Sequence, residues 1–224
     1  MTYLTIFILE LCFLFFLSSQ VTKSLSRLLH RFTKNLKLTI YLFAFCFLPG
    51  TLVHELAHFL AAIALLVPVG RIELIPAMRD GNLKLGSVEI AKVDPFRRAI
   101  IGFAPIFIGI ISIFFILSFY DKNSLSWWQF FLTIYALFEI GNTMFSSKKD
   151  LEGSIVVLLM LIIITISLYV LNINIIYHLY NLYTNLGGEL IVKKGVFMMG
   201  IPIGIDLLFL FITEGIFSRF LIRQ

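Results

Sequence analysis

The sequence predicts an all-α polytopic membrane protein of about six transmembrane helices, with a small β-hairpin at the membrane surface over about residues 69–93. Three observations lead there. Of the 224 residues, 59% are hydrophobic and 14% charged, with a mean hydropathy of +0.97, far from the balance of a soluble domain. Apolar runs of about 20 residues, the length that crosses a hydrocarbon core of roughly 30 Å, recur along the chain. The longest interval between them, about 68–98, is the one place where apolar and polar residues alternate with period two.

The first run, about 3–19, has no basic n-region and ends in "FFLSSQ", a poor cleavage site, so it is expected to persist as a helix. Residues 20–37, carrying Lys23, Arg27, Arg31, Lys34 and Lys37, read as a basic amphipathic connector. In an apolar chain of net charge +5 these cations point to lipid phosphates and exclude nucleic acid as the partner. The second run, about 38–67, is longer than a crossing needs, and Pro49 in "LPG" predicts a kink just before His54.

From Val69 to Val93, "RIELI" and "SVEIAKV" alternate around "RDGN", whose Asp80-Gly81 suits a tight turn. Asp94-Pro95 forms a cap and first-turn pair for the third run, about 99–119. Gly102, Ala104, Pro105 and Gly109 within it permit close helix contact. Trp127 and Trp128 mark one interface of the fourth run, about 126–146. Runs at about 152–171 and 196–218 follow, separated by an interfacial stretch rich in Asn and Tyr. Cys12 and Cys46 lie inside apolar runs, where a thiol packs as a small hydrophobe, so neither a disulfide framework nor a Cys-based zinc site follows. The loops are too short for a separate soluble domain. Residues 1–224 therefore read as one membrane-embedded domain with a three-span core at about 38–150 and peripheral helices at 3–19, 152–171 and 196–218.

The chemistry lies in "LVHELAHFLAA", Leu52 to Ala62. On a helix His54 and His58 are one turn apart and share a face, so both imidazoles reach one metal ion. Glu55 lies about 100° round from His54, near enough to a metal-activated water to act as general base without being a ligand. His-Glu-x-x-His thus encodes two zinc ligands and a base, and ionisable groups at bilayer depth are costly enough to mark a functional site.

A hydrolytic zinc takes three protein ligands and keeps one position open. Candidates for the third are Glu10, Glu139, Asp150, Asp206, Glu214 and His178. If the second run leaves the bilayer near Val67, His58 lies about nine residues, roughly 14 Å, below that face. The fourth run returns to the same face and delivers Asn142 to Asp150 there. Asp150 reaches the metal if "SSKKD" dips into the bundle, which irregular backbone can do where protein or a water-filled cavity surrounds it. Glu139 is deeper, on regular helix, and is the second candidate. Asp150 would otherwise serve as an N-cap of the fifth run, and Asp206 and Glu214 are expected to pair within the bundle.

These residues resemble the site-2 protease family of intramembrane zinc metalloproteases. That family joins a His-Glu-x-x-His helix to a later segment in which an Asn precedes, by eight positions, the Asp that completes the zinc site; here Asn142 precedes Asp150 by that interval. The family's Pro three after the Asn is Phe145 here, and its Asp-Gly is Asp150-Leu151. The resemblance covers roughly residues 38–171 and implies one catalytic Zn2+ held by His54, His58 and Asp150, with Glu55 as base. It implies Asn142 as a substrate-binding residue, a role its amide donors suit. The implied substrate is a transmembrane protein, cleaved in or near its membrane-spanning segment. The expected location is a prokaryotic cell membrane, the protein being multi-pass in the lipid bilayer. An edge of the 69–93 hairpin either holds the unwound substrate by strand addition or belongs to a simple surface connector.

Two other readings stand beside this one. A CAAX-prenyl-protease-like membrane zinc peptidase would draw its third ligand from Glu139. A non-enzymatic membrane scaffold or transporter would carry paired polar residues in several broken spans, whereas the polar chemistry here is concentrated at one end.

Overall fold

The computed structural model describes residues 2–73, 77–79, 82–84, 87–120, 126–145, 150, 154–171, 181, 183–185 and 187–217. The Asp80-Gly81 turn, residues 146–149, His178 and most of the Asn- and Tyr-rich stretch lie outside them.

Helix α1 spans Thr2–Thr33. It runs straight through much of the expected 20–37 connector, because no Gly or Pro interrupts residues 2–33. It stops where Lys34 takes a φ of 50°, and the Asn35 side chain then accepts from the backbone N–H groups of Lys37 and Leu38 to start α2, Leu36–Cys46. At 1.5 Å per residue α1 is about 48 Å long, well beyond a hydrocarbon core of roughly 30 Å.

Helix α3, Leu48–Ala64, follows α2 after Phe47 at a bend of 66°, the kink predicted from Pro49. Pro49 has no N–H to offer the Phe45 carbonyl. The next bond of a continuous helix, Gly50 N–H to the Cys46 carbonyl, is also gone. Gly50 donates instead to Glu139 Oε2 at 3.1 Å, and the Cys46 carbonyl accepts from the Tyr135 hydroxyl at 2.8 Å. Both replacements come from α5, Trp127–Thr143, one turn apart. A buried backbone group left without a partner costs about 1–3 kcal/mol, so the buried bond from Gly50 to Glu139 offsets part of the break, while the bond from Tyr135 to Cys46 is exposed.

The hairpin is built from two nested antiparallel ladders. Strand β1, Val69–Glu73, pairs with β4, Ser87–Ile90, with an irregularity between Val69 and Ile72. Within it β2, Ala77–Arg79, pairs with β3, Asn82–Lys84. Buried Ala62, Val67 and Ile101 pack against Val69, Ile90 and Val93 and anchor the hairpin base to the end of α3.

Helix α4, Pro95–Tyr120, starts as predicted: Asp94 Oδ1 accepts from the N–H groups of Phe96 at 3.1 Å and Arg97 at 3.0 Å. Helices α6, Ser154–Val170, and α7, Gly188–Leu210, follow, and α7 continues as a π-helical turn, Phe211–Phe217. One core joins Leu14 of α1, Ile113 of α4, Leu137 and Ile140 of α5, Met144 just beyond it, and Met199 of α7. Helices α1 and α7 both contribute to this packing core, and the Ser18 hydroxyl of α1 donates to the Asn142 carbonyl at 2.8 Å.

Six spans are not what the structure supports. Among the described residues three helices, Thr2–Thr33, Pro95–Ser118 and Gly188–Gly215, are long and apolar enough to cross a membrane, or four with the bent α2–α3 pair counted as one span. Helices α5 and α6 have 17 residues each, about 25 Å of rise, short of the roughly 30 Å a crossing needs.

Candidate metal centre

His54 and His58 stand one turn apart on α3, and each ring is fixed by a backbone carbonyl. His54 Nδ1 lies 2.6 Å from the Thr143 carbonyl oxygen and His58 Nδ1 lies 2.9 Å from that of Ile101. A carbonyl can only accept, so each Nδ1 carries the proton and donates, which leaves Nε2 of a neutral ring with a lone pair. The two Nε2 atoms are 3.1 Å apart, with the rings at 81° to one another.

Asp150 completes the group. Its Oδ1 is 3.6 Å from His58 Nε2 and its Oδ2 is 3.9 Å from His54 Nε2. One ligand atom from each of the three residues falls within 4.8 Å of the others, an arrangement that could hold a metal ion. Two imidazole lone pairs and a carboxylate facing one another repel unless a cation lies between them. The 3.1 Å nitrogen separation is close to the edge of a zinc tetrahedron, about 3.3 Å for Zn–N distances of 2.0–2.1 Å. The donor set, two imidazoles and one carboxylate, is one that divalent transition metals accept, zinc among them.

The neighbours explain how the third member gets there. Gly102 of α4 is where the chain at Asp150 crosses the helix: a Cβ at Gly102 would land on the Asp150 carbonyl oxygen, with the carbonyl carbon at 2.9 Å. Glycine leaves that space open. Thr143 is the last residue of α5, and its carbonyl is one of the helix-end acceptors without an intrahelical donor. The end of α5 therefore both orients His54 and leads toward Asp150. Glu55, adjacent to His54, is buried on α3 at 7% exposure.

The other candidates among the described residues lie elsewhere. Glu139 is fully buried and holds Gly50 at the α2–α3 break, outside the His54, His58 and Asp150 group. Asn142 donates through Nδ2 to Asp206 Oδ1 at 2.7 Å and to the Phe138 carbonyl at 2.9 Å. Both amide hydrogens are engaged, so in this conformation none is left for a substrate. Asp206 pairs within the bundle as expected, and Glu214 accepts from Arg27 at 2.6 Å and Ser24 at 2.7 Å. Glu10 is on α1, outside the group.

Sequence reasoning missed the two carbonyls that set the imidazole tautomers, since a backbone acceptor leaves no side-chain signature. It also missed Tyr135 and Glu139 as partners of the break; an i,i+4 polar pair on an apolar helix, in a chain that also carries "LPG", is the signal that could have found them. No family model, curated protein or solved structure matches this chain.

Proposed function

We propose that the protein is an intramembrane zinc metalloprotease that hydrolyses peptide bonds in or near transmembrane segments of membrane proteins. The observation that carries this reading is the convergence of His54 Nε2, His58 Nε2 and the Asp150 carboxylate, on a helix whose His54-Glu55-x-x-His58 spacing supplies a base beside the ligands. The apolar helices support a membrane setting for that site.

His54, His58 and Asp150 would hold the ion, with Thr143 and Ile101 holding the two rings in the tautomer that presents Nε2. When bound, zinc supplies a Lewis acid for the scissile carbonyl and makes the attacking water more acidic. Glu55 accepts the proton that water loses and returns it to the leaving amine as the peptide bond breaks. A helical substrate has its peptide groups engaged in its own ladder, so it unwinds locally before attack.

The test uses purified protein in vesicles with a model transmembrane helix as substrate, measuring bound zinc and cleavage. Glu55→Ala is expected to keep zinc and lose cleavage by a factor of about 10²–10⁴, the range of general-base catalysis. Asp150→Ala is expected to lose both. Undiminished cleavage by Glu55→Ala rules out the proposed mechanism.

A further inference from the structure

The carbonyl that orients His58 comes from an unexpected place. Thr143 ends its helix, but Ile101 is well inside α4, where a carbonyl ordinarily accepts from the N–H four residues on. Four residues on from Ile101 is Pro105, inside the helix and fully buried. Proline has no N–H, so the Ile101 oxygen has no i+4 donor and is directed at His58 Nδ1, 2.9 Å away.

We infer that Pro105 is a positioning residue for the metal centre: by withholding a backbone donor it reserves the Ile101 carbonyl for His58 and so fixes the tautomer that turns Nε2 toward Asp150 and His54. The inference rests on reading His54, His58 and Asp150 as a metal site. The sequence carries it in the spacing alone, since the proline lies four residues beyond the acceptor and one turn past Gly102, which admits Asp150.

What the loss does to zinc and to His58 tells a positioning proline from a merely structural one. Pro105→Ala exchanges a restored ladder bond for the cavity left by a fully buried ring, so the thermal midpoint of the zinc-free protein shows only that the variant folds. The same variant should weaken zinc binding by about 10–100-fold, the usual effect of losing a ligand's outer hydrogen-bond partner. In the zinc-free protein the ¹⁵N signal of His58 Nδ1 should move toward that of a ring exchanging between tautomers.

Lactic acid at position 105, which has the alanine side chain but an ester oxygen where the N–H would be, separates donor from ring. It should restore both zinc affinity and the His58 signal. Wild-type affinity and an unmoved His58 signal in Pro105→Ala would overturn the inference. Equal losses in the alanine and lactic acid variants would overturn it too, because the ring's shape would then be what matters. Failure of the wild-type protein to bind zinc would instead sink the metal reading, while the zinc-free ¹⁵N comparison would still decide whether Pro105 controls the ring.

Discussion

Gly102→Ala tests how Asp150 enters the site. The added methyl would stand 2.9 Å from the Asp150 carbonyl carbon and closer still to its oxygen, and both are backbone atoms that cannot rotate away. Restoring ordinary carbon contact at about 3.5 Å requires the Asp150 backbone to retreat by at least about 0.6 Å. Metal–ligand distances tolerate only about ±0.2 Å, so a shift of that size takes the carboxylate out of range. Zinc affinity is then expected to fall by about 10–100-fold or more, since a ligand itself is displaced. The helix should not suffer, because alanine is favoured over glycine inside a helix by about 0.5–1 kcal/mol. Competition titration against a chromogenic chelator, with a melting curve of the zinc-free protein as companion, reads both quantities. A folded Gly102→Ala protein that binds zinc as tightly as wild type refutes the reasoning.

Two further substitutions separate the site from its scaffold. Glu139→Ala leaves the Gly50 N–H at the helix break without its acceptor and is expected to cost about 1–3 kcal/mol in thermal or denaturant unfolding while retaining zinc; zinc loss without destabilisation would instead make Glu139 a ligand. Asp206→Ala removes the acceptor that ties Asn142 of α5 to α7 and is expected to destabilise by a similar amount, whereas Asp206→Asn keeps an acceptor oxygen and should lose less. Unfolding curves that do not distinguish the two Asp206 variants would show that this hydrogen bond is not what joins the helices.

The parts of the centre that were readable in the sequence are those written as side chains at helical spacing. His54 and His58 are four residues apart, and the order of apolar runs favoured Asp150 over deeper carboxylates, although α5 is not one of the long apolar helices on which that count relied. The kink at Pro49 and the Asp94 cap were equally local. What could not be read involves partners distant in sequence. Glu139 and Asn142 are polar residues on one apolar helix, and only packing against α3 and α7 reveals that one caps a helix break and the other an interhelical joint. The span count failed for a related reason: hydropathy registers α5 and α6 as apolar but not that each regular helix is only 17 residues long.

The break between α2 and α3 also has a mechanical side. An intact helix transmits bending along its axis through its hydrogen-bond ladder, and this one lacks the ladder bonds of Pro49 and Gly50. Both halves carry an outward apolar face, Leu38, Tyr41, Leu42 and Phe45 on α2 and Leu52, Leu56, Leu60 and Ile63 on α3. Helix α3 is clamped at two levels to α5, through Gly50 to Glu139 and through His54 to Thr143. Tyr135 of the same helix holds the end of α2, so α5 spans the break as a splint: side chains carry the 66° angle where the backbone ladder cannot, and the two imidazoles keep their register with α5.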